Sequence, residues 1–352
     1  MKISLNVIEH LGINLYSNLP AVLSEIVANS WDADATEVRI NIEGTNRIEI
    51  IDNGIGMNEK DINDKFLLVG YKKRDDGFAE TSSGRKVMGR KGIGKLSLFS
   101  IANKITIISK KANEEINAFV MNVDDIREVA KKEQTYEPTP LSNDELPKQI
   151  DHSGTIIILE ELKRERIQKY NIKINLARRF SIIGSQNNFR VFVDGEEIAL
   201  EDRNYFKKLD YIWYFGENSE KFVNLCNANI KSKKLNASFG NYSIAGWIGN
   251  ARESGLLQER DNNLNKIAIL VRGKLAQEDI LSDFRIGGLY TKFLIGEINA
   301  DFLDTDDDKD IATSNRQRII EDDSRYVDLK NFLKKQLQII STQRKDFKEQ
   351  VR

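Results

Sequence analysis

The 352-residue chain sets 53 Lys and Arg against 54 Asp and Glu, a net charge of -1, and is 40% hydrophobic and 30% charged. That describes a globular protein with room for two cores and excludes whole-surface attraction to nucleic acid, while leaving local basic clusters open. A single cysteine, Cys226, forbids an internal disulfide; with only His10 and His152 beside it, a His/Cys zinc centre is excluded too.

No apolar run approaches the ~18 residues of a membrane span, and the N-terminal "MKISLNVIEHLG" has no signal-peptide core, so a cytoplasmic protein without membrane contact is expected. The first strong element is "LPAVLSEIVANSWDADA", Leu19 to Ala35, which reads as a helix starting close to Pro20. At 100° per residue, Leu23, Ile26, Val27, Ser30 and Trp31 share one side and Glu25, Asn29 and Asp32 the other. Taken alone, that polar stripe is the wet face of an amphipathic helix.

Next, "EVRINIEGTNRIEIIDNG" alternates Val38, Ile40 and Ile42, then Ile48 and Ile50, about a Gly44-Thr45-Asn46 turn. The pattern predicts a hairpin that delivers Asp52 to a sheet end. From Asp61 to Gly92 the chain is polar and punctuated by Gly and Ser, with the part from Gly70 onward read as too flexible for core and suited to a lid. "GIGKLSLFSIA" opens a helix at its glycines, and strands "NKITIIS" and "INAFVMNV" follow. A polar connector then leads to the strand "GTIIILEEL", a basic helix over Arg164–Arg179 and a hairpin about Asp194-Gly195.

The mixed order predicts an α+β class: an α/β sandwich with a mixed sheet and helices on one face over residues 1–202. A second, smaller α/β domain is expected over 203–327, with strands "YSIAGWIG" and "KIAILVRGKLA". Helical spacing of Leu329, Phe332, Leu333, Leu337 and Ile340 predicts a C-terminal helix over 328–352, without a Gly or Pro stop, which suits a chain that continues or a helix that pairs.

Three further motifs carry chemistry. In "DNGIGM", Asp52 to Met57, a strand-end carboxylate can accept a hydrogen bond from an exocyclic amine, and glycines let a flat ring approach the backbone. A ligand-free D-x-G turn is the alternative. In "GRKGIGK", Gly89 to Lys95, glycines at a helix start expose N–H groups, with Lys91 or Lys95 adding charge for a phosphate. The spacing matches neither a Walker A loop nor a dinucleotide fingerprint. In "SGTIIILEEL", Thr155 opens a strand, where its hydroxyl can support Asp52 through water or simply reflect β-propensity.

In order and spacing, E-x-x-x-N, D-x-G-x-G-M, a lid with G-x-G, and G-T on a strand resemble the GHKL ATPases: gyrase B, the heat-shock-ninety chaperone, MutL, the histidine kinases and the MORC proteins. The resemblance covers about the first 200 residues. It implies an ATP site with Mg2+, in which Glu25 activates the attacking water and Asn29 is the protein ligand of the metal. It implies that Asp52 reads adenine, with Gly54 and Gly56 allowing close approach, Met57 walling the base and Thr155 behind Asp52. Lys91, Gly92, Ile93, Gly94 and Lys95 would cradle the phosphates, while Asp32 orients the helix end.

Nothing precedes the nucleotide fold to serve as a phospho-acceptor domain, so hydrolysis is expected over kinase chemistry. In "DKDIATSNRQRII" the Ser-Asn-Arg-Gln core resembles the arginine-bearing loop of the heat-shock-ninety middle domain. It implies Arg316 as the residue that reaches the γ-phosphate, with Lys309 and Arg318 as rivals and a solvated charged loop as the alternative. "GIGK" sits closer to the MORC pattern than to the chaperones. The family further implies an ATP-dependent homodimeric clamp with an unidentified protein partner or client, and in bacteria a place in phage-defence or genome-conflict systems. The alternatives are a nucleotide-gated interaction or chaperone-like module, or a DNA-associated clamp resting on the basic lid and the Arg164–Arg179 helix.

Overall fold

In the computed structural model, residues 3–4, 18–68, 79–89, 97–130, 135–146, 150–163, 167–259, 262–284, 289–305 and 319–349 are described. The class is α+β, and the chain divides into two compact units. One comprises residues 1–177 with 182–202, the other 178–181 with 203–352.

The first unit opens with helix α1, Leu19–Asp32. Asn18 caps it by accepting the Ala21 N–H at 2.9 Å, and Pro20 occupies the first turn, where its missing N–H costs nothing. Strands β1 (Glu37–Glu43), β2 (Arg47–Asp52), β3 (Ala102–Lys110) and β4 (Ile116–Asn122) follow, then helix α2 (Val123–Ala130) and strand β5 (Thr139–Pro140). Strand β6 (Gly154–Leu162), helix α3 (Lys169–Arg179), whose last two residues belong to the second unit, and strands β7 (Arg190–Val193) and β8 (Glu196–Glu197) complete the unit's main elements. They make an eight-stranded mixed sheet in the order β8-β7-β1-β2-β6-β3-β4-β5, antiparallel except for β1 against β7.

Register determines what each face of this sheet carries. Ile42, Ile48, Leu159, Ile105 and Met121 align across β1, β2, β6, β3 and β4, and Ile40, Ile50, Ile157, Ile107 and Phe119 form the next row on the same face. All ten are buried, so this face is core. The row after them reads Val38, Asp52, Thr155, Ser109 and Asn117: the same face turns polar over its central strands. The opposite face holds a smaller apolar cluster of Ile108, Ala118, Ile156 and Ile158, with Leu141, Leu146 and Ile150 packed against it.

The second unit contains strands β9 (Leu209–Phe215), β10 (Lys231–Leu235), β11 (Ala245–Ala251), β12 (Ile267–Val271), β13 (Lys274–Gln277) and β14 (Leu294–Asn299), and helix α4 (Ser324–Glu349). Their sheet runs β10-β9-β11-β14-β12-β13. The segment "KIAILVRGKLA" is a hairpin, because Arg272 and Gly273 both take positive φ, +50° and +77°, and turn β12 into β13. Helix α4 begins at Ser324, four residues before the expected start, where the Asp323 carboxylate accepts the Arg325 N–H at 3.0 Å. Its Tyr326, Leu329, Phe332, Leu333, Leu337 and Ile340 are buried with Trp213, Phe215 and Ile248 of the sheet. On β14, the buried Glu297 pairs with the Arg203 guanidinium and the Tyr205 hydroxyl. Burial pushes the Glu297 carboxyl up, with the nearby Arg203 and Arg178 charges pulling against it.

Among the described residues no helix is long and apolar enough to cross a membrane.

Candidate functional site

The polar row ends in Asp52, the last residue of β2. Thr155 faces it across the β2–β6 ladder and Ser109 faces Thr155 across β6–β3. Above the row, the buried Ser30 of α1 lies with its hydroxyl 3.1 Å from Asp52 Oδ2 and 3.2 Å from the Ile26 carbonyl, two acceptors for one proton. The other carboxylate oxygen accepts the Gly54 N–H at 2.9 Å.

Burial pushes the Asp52 carboxyl up to about 6, against the opposing hydrogen bonds from the Gly54 amide, Ser30 and the Thr155 amide. The residue retains partial exposure although its carboxyl group lies deep in the unit, the arrangement expected of a group at the floor of an opening.

The turn after Asp52 is packed backbone against backbone. Ile55 N–H donates to the Ala33 carbonyl just beyond α1 at 2.9 Å, and Asn53 Oδ1 accepts the amides of Thr36 and Glu37, both at 2.9 Å. A Cβ on Gly54 would lie 2.7 Å from the Ala33 carbonyl oxygen. Gly56 is more constrained: φ is +67°, and a Cβ there would lie 1.8 Å from the Lys110 carbonyl oxygen. Met57 N–H donates to Ser109 Oγ at 2.9 Å. Asp52, Gly54, Gly56, Met57 and Thr155 therefore lie together at the polar end of the sheet face.

On α1, Asn29 is exposed, Glu25 is half-buried, and both stand one helical turn apart on the less buried side. Asp32, another turn along by i+3, accepts the Met88 and Gly89 amides at 2.7 and 2.9 Å, which ties the end of α1 to the stretch just before the glycine loop. Val87 and Met88 are buried, with the Trp31 indole donating to the Lys86 carbonyl at 3.0 Å. This end of the polar stretch belongs to the core, contrary to the expectation of a wholly flexible lid, because α1 supplies acceptor, donor and ring to hold it. Arg85 is also used structurally: it donates to the carbonyls of Ala35 and Asn188 at 2.6 and 2.8 Å and stacks over Trp31 at 4.4 Å. Next to it, burial pushes Asp34 up, but hydrogen bonds from Ser82, Thr81 and Ser83 outweigh that and hold it below the usual carboxylate range.

Lys91, Gly92, Ile93, Gly94 and Lys95, and equally Lys309, Arg316 and Arg318, lie outside the described residues. Every described basic residue of α3 is engaged by a carboxylate: Lys169 by Asp194, Lys173 by Glu196 and Asp202, Arg178 by Glu259 and Arg179 by Glu278. These pairs compensate the charge of the described part of the basic helix, while Arg164 and Arg166 lie outside the described residues. Among the described residues no group of three His, Cys, Asp or Glu side chains gathers to hold a metal ion.

Sequence reasoning missed two members of the site. Ser30 was assigned to the apolar side of α1, and Ser109 is a single serine inside the apolar run of β3. Pairing "NKITIISK" in register with "GTIIILEEL" is the step that would have revealed Ser109 beside Thr155.

Residues 16–155 match the family model described as histidine kinase-, DNA gyrase B- and HSP90-like ATPase. A putative type II restriction enzyme of Herpetosiphon aurantiacus, HgiDII, is 42% identical over 341 residues, 95% of this chain and 54% of that protein. The chaperone protein HtpG of Sulfurovum sp. is 30% identical over 194 residues, 48% of this chain and 28% of the chaperone. The DNA mismatch repair protein MutL of Ehrlichia chaffeensis is 27% identical over 243 residues, 65% of this chain and 32% of MutL. The chain thus spans about half the length of the restriction-enzyme relative, 54%, and about a third or less of the other two, 28% and 32%.

Proposed function

We propose that this chain, whose residues 16–155 match the model of the histidine kinase-, DNA gyrase B- and HSP90-like ATPases, binds ATP with Mg2+ and hydrolyses it to drive an ATP-gated dimeric switch. The observation that carries this reading is the polar row: a half-buried carboxylate with its pKa raised to about 6, flanked by hydroxyls, at the end of an apolar sheet face. Such a floor suits a flat heteroaromatic ring carrying an amine.

In this reading Asp52 accepts the exocyclic amine of adenine, and Gly54 and Gly56 let the ring lie against the backbone where a Cβ would collide. Met57 walls the base, and Thr155 adds a hydroxyl beside Asp52. Asn29, exposed on α1, is the residue placed to ligate Mg2+, which when bound neutralises charge on the phosphates. Glu25, one turn before Asn29, takes the proton of the attacking water. Lys91, Gly92, Ile93, Gly94 and Lys95 hold phosphate oxygens through amides and charge, anchored from behind by the Asp32 clamp on Met88 and Gly89. Arg316, or Lys309 or Arg318 in its place, supplies the cation that stabilises the transferred phosphoryl group.

The second unit acts as the transducer that turns occupancy into movement, and the active species is a homodimer. The likeness to a putative restriction enzyme over 95% of the chain favours service in a genome-conflict or defence assembly, alongside a protein partner.

Steady-state ATPase assays and gel filtration with a non-hydrolysable ATP analogue test the reading on wild type, Glu25→Ala and Asn29→Ala. Glu25→Ala is expected to lose ~10²–10⁴-fold in turnover while still binding ATP, and Asn29→Ala to lose Mg2+-dependent binding. Wild-type turnover in Glu25→Ala would disprove the general-base assignment. Nucleotide-dependent dimerisation without turnover in wild type would instead favour a purely nucleotide-gated module.

A further inference from the structure

Strand β10 (Lys231–Leu235) is an edge of the second unit's sheet: it lies parallel to β9, and among the described residues no strand pairs on its other side. Backbone N–H and C=O groups of alternate residues point to opposite edges of a strand, so about half of those in β10 face away from β9. An open edge of this kind is a template for another strand. Ser232, Lys233 and Lys234, the middle of β10, are all exposed.

Register shows how the lysines stand at that edge. Lys231, Lys233 and Leu235 lie opposite Tyr211, Trp213 and Phe215, on the face that α4 covers, and Ser232 and Lys234 lie opposite Ile212 and Tyr214, on the other face. Lys233 and Lys234 therefore straddle the edge, one above the sheet and one below it. Lys231 is engaged within the unit: its ammonium donates to the Phe347 carbonyl at 3.2 Å and lies 5.8 Å from the centre of the Phe347 ring. Among the described residues Lys233 and Lys234 meet no hydrogen-bond or ion-pair partner, in contrast to the basic residues of α3.

Exposed lysines on an edge keep a neutral strand from adding, because pairing would take their charges out of water without a counter-charge. They also exclude a second copy of the same edge, which would set lysine against lysine. A strand with carboxylates at the facing positions meets neither obstacle. A nucleic-acid backbone suits the arrangement less well, since it lies against one face and leaves the other lysine in water. We propose that β10 takes an acidic, extended segment of a protein partner as an added strand, with carboxylates beside Lys233 and Lys234 on the two faces and backbone hydrogen bonds along the edge. The site shares no residue with the nucleotide site proposed above.

Fluorescence anisotropy with the whole chain and a labelled peptide blocked at both ends, Thr-Val-Thr-Glu-Glu-Val-Thr-Val, tests this. The other probes are the same peptide N-methylated on alternate backbone amides, its Lys-for-Glu counterpart and a short DNA duplex. Wild type is expected to bind the acidic peptide roughly tenfold tighter than the methylated or the lysine peptide, the worth of the edge hydrogen bonds or of two cross-strand charge pairs. Combining Lys233→Glu with Lys234→Glu should reverse the preference in favour of the lysine peptide, which a general loss of folding cannot do. Combining Lys233→Gln with Lys234→Gln should bring the two peptides to within about twofold of each other, and it keeps the test open if the Glu variant does not fold. A methylated peptide that binds as tightly as its parent would show attraction by charge alone and overturn the strand pairing. A duplex bound more tightly than the peptide, and released by the Glu substitutions, would make the surface a nucleic-acid contact and overturn the choice of partner. No binding of the acidic peptide, or a preference that survives charge reversal, overturns the proposal outright.

Discussion

Replacing Asp52 by Asn should stabilise the ligand-free protein and abolish nucleotide binding. The carboxyl is pushed by burial from an ordinary 3.8 up to about 6. Above pH 6 the folded state holds an anion that the unfolded state ionises more easily, which costs roughly 3 kcal/mol at 1.36 kcal/mol per tenfold. The sign follows from proton uptake. Between 3.8 and about 6 the folded state binds more protons than the unfolded one, so stability falls as pH rises through that window. At pH 4.5 the same arithmetic leaves only about 1 kcal/mol of cost. Asparagine removes the charge and also settles the local competition. Its amide can donate to Ser30 Oγ, freeing the Ser30 proton for the Ile26 carbonyl 3.2 Å away, while its oxygen keeps the Gly54 N–H. Some of the gain is lost to imperfect geometry, so the expected stabilisation at pH 8 is about 1–2 kcal/mol, a rise of a few degrees in Tm. Thermal melts of wild type and Asp52→Asn at pH 8 and 4.5, each with and without ATP, measure it. A variant that melts below wild type at pH 8, or whose gain is as large at pH 4.5, would refute the reasoning about burial. One that keeps the ATP-induced rise in Tm would refute the assignment of Asp52 to the ligand.

Because the ionised form of Asp52 is the better acceptor, ATP affinity should fall as pH drops below about 6, by up to tenfold per pH step, as titration calorimetry in two buffers would show. Gly56→Ala places a Cβ 1.8 Å from the Lys110 carbonyl oxygen at a φ of +67°, so it should lower Tm and remove ATP binding together; unchanged binding would mean that the turn can shift to admit a methyl group. Asp32→Ala strips the Met88 and Gly89 amides of their acceptor, and we expect faster proteolysis of the 79–96 stretch and about tenfold weaker ATP binding, with little change if Asp32 only ends the helix. In the second unit, Arg203→Ala leaves the buried Glu297 without its cation and should cost about 3–5 kcal/mol in denaturant unfolding, far beyond the effect of deleting an exposed pair.

The parts of the molecule that were legible in the sequence are those written in local periodicity. The helix with Glu25 and Asn29, the hairpin leading to Asp52, and the glycines of the turn each follow from spacing within about twenty residues. The four-residue error at the start of α4 has a local cause too: Asp323 looks like one more charge in an acidic run until its carboxylate is seen on the Arg325 amide. What was not legible depends on register between distant segments. Ser109 and Thr155 are 46 positions apart and Ser30 and Asp52 22, and nothing in either stretch alone says that they meet.

The same distinction explains why the described end of the polar stretch, up to Gly89, is held where its composition predicts flexibility. Its polar composition is real, but composition describes what a segment offers to water, whereas burial of Val87 and Met88 depends on what α1 offers to it. Trp31 and Asp32 close that segment down, and they do so from the final turn of the helix that carries Glu25 and Asn29. Met88 and Gly89 are therefore attached, through two amides and a carboxylate, to the helix whose residues are proposed to hold the metal and the water. If the proposed roles hold, the described start of the glycine motif at Met88 and Gly89 and the helix carrying Glu25 and Asn29 share the Asp32 carboxylate as an anchor.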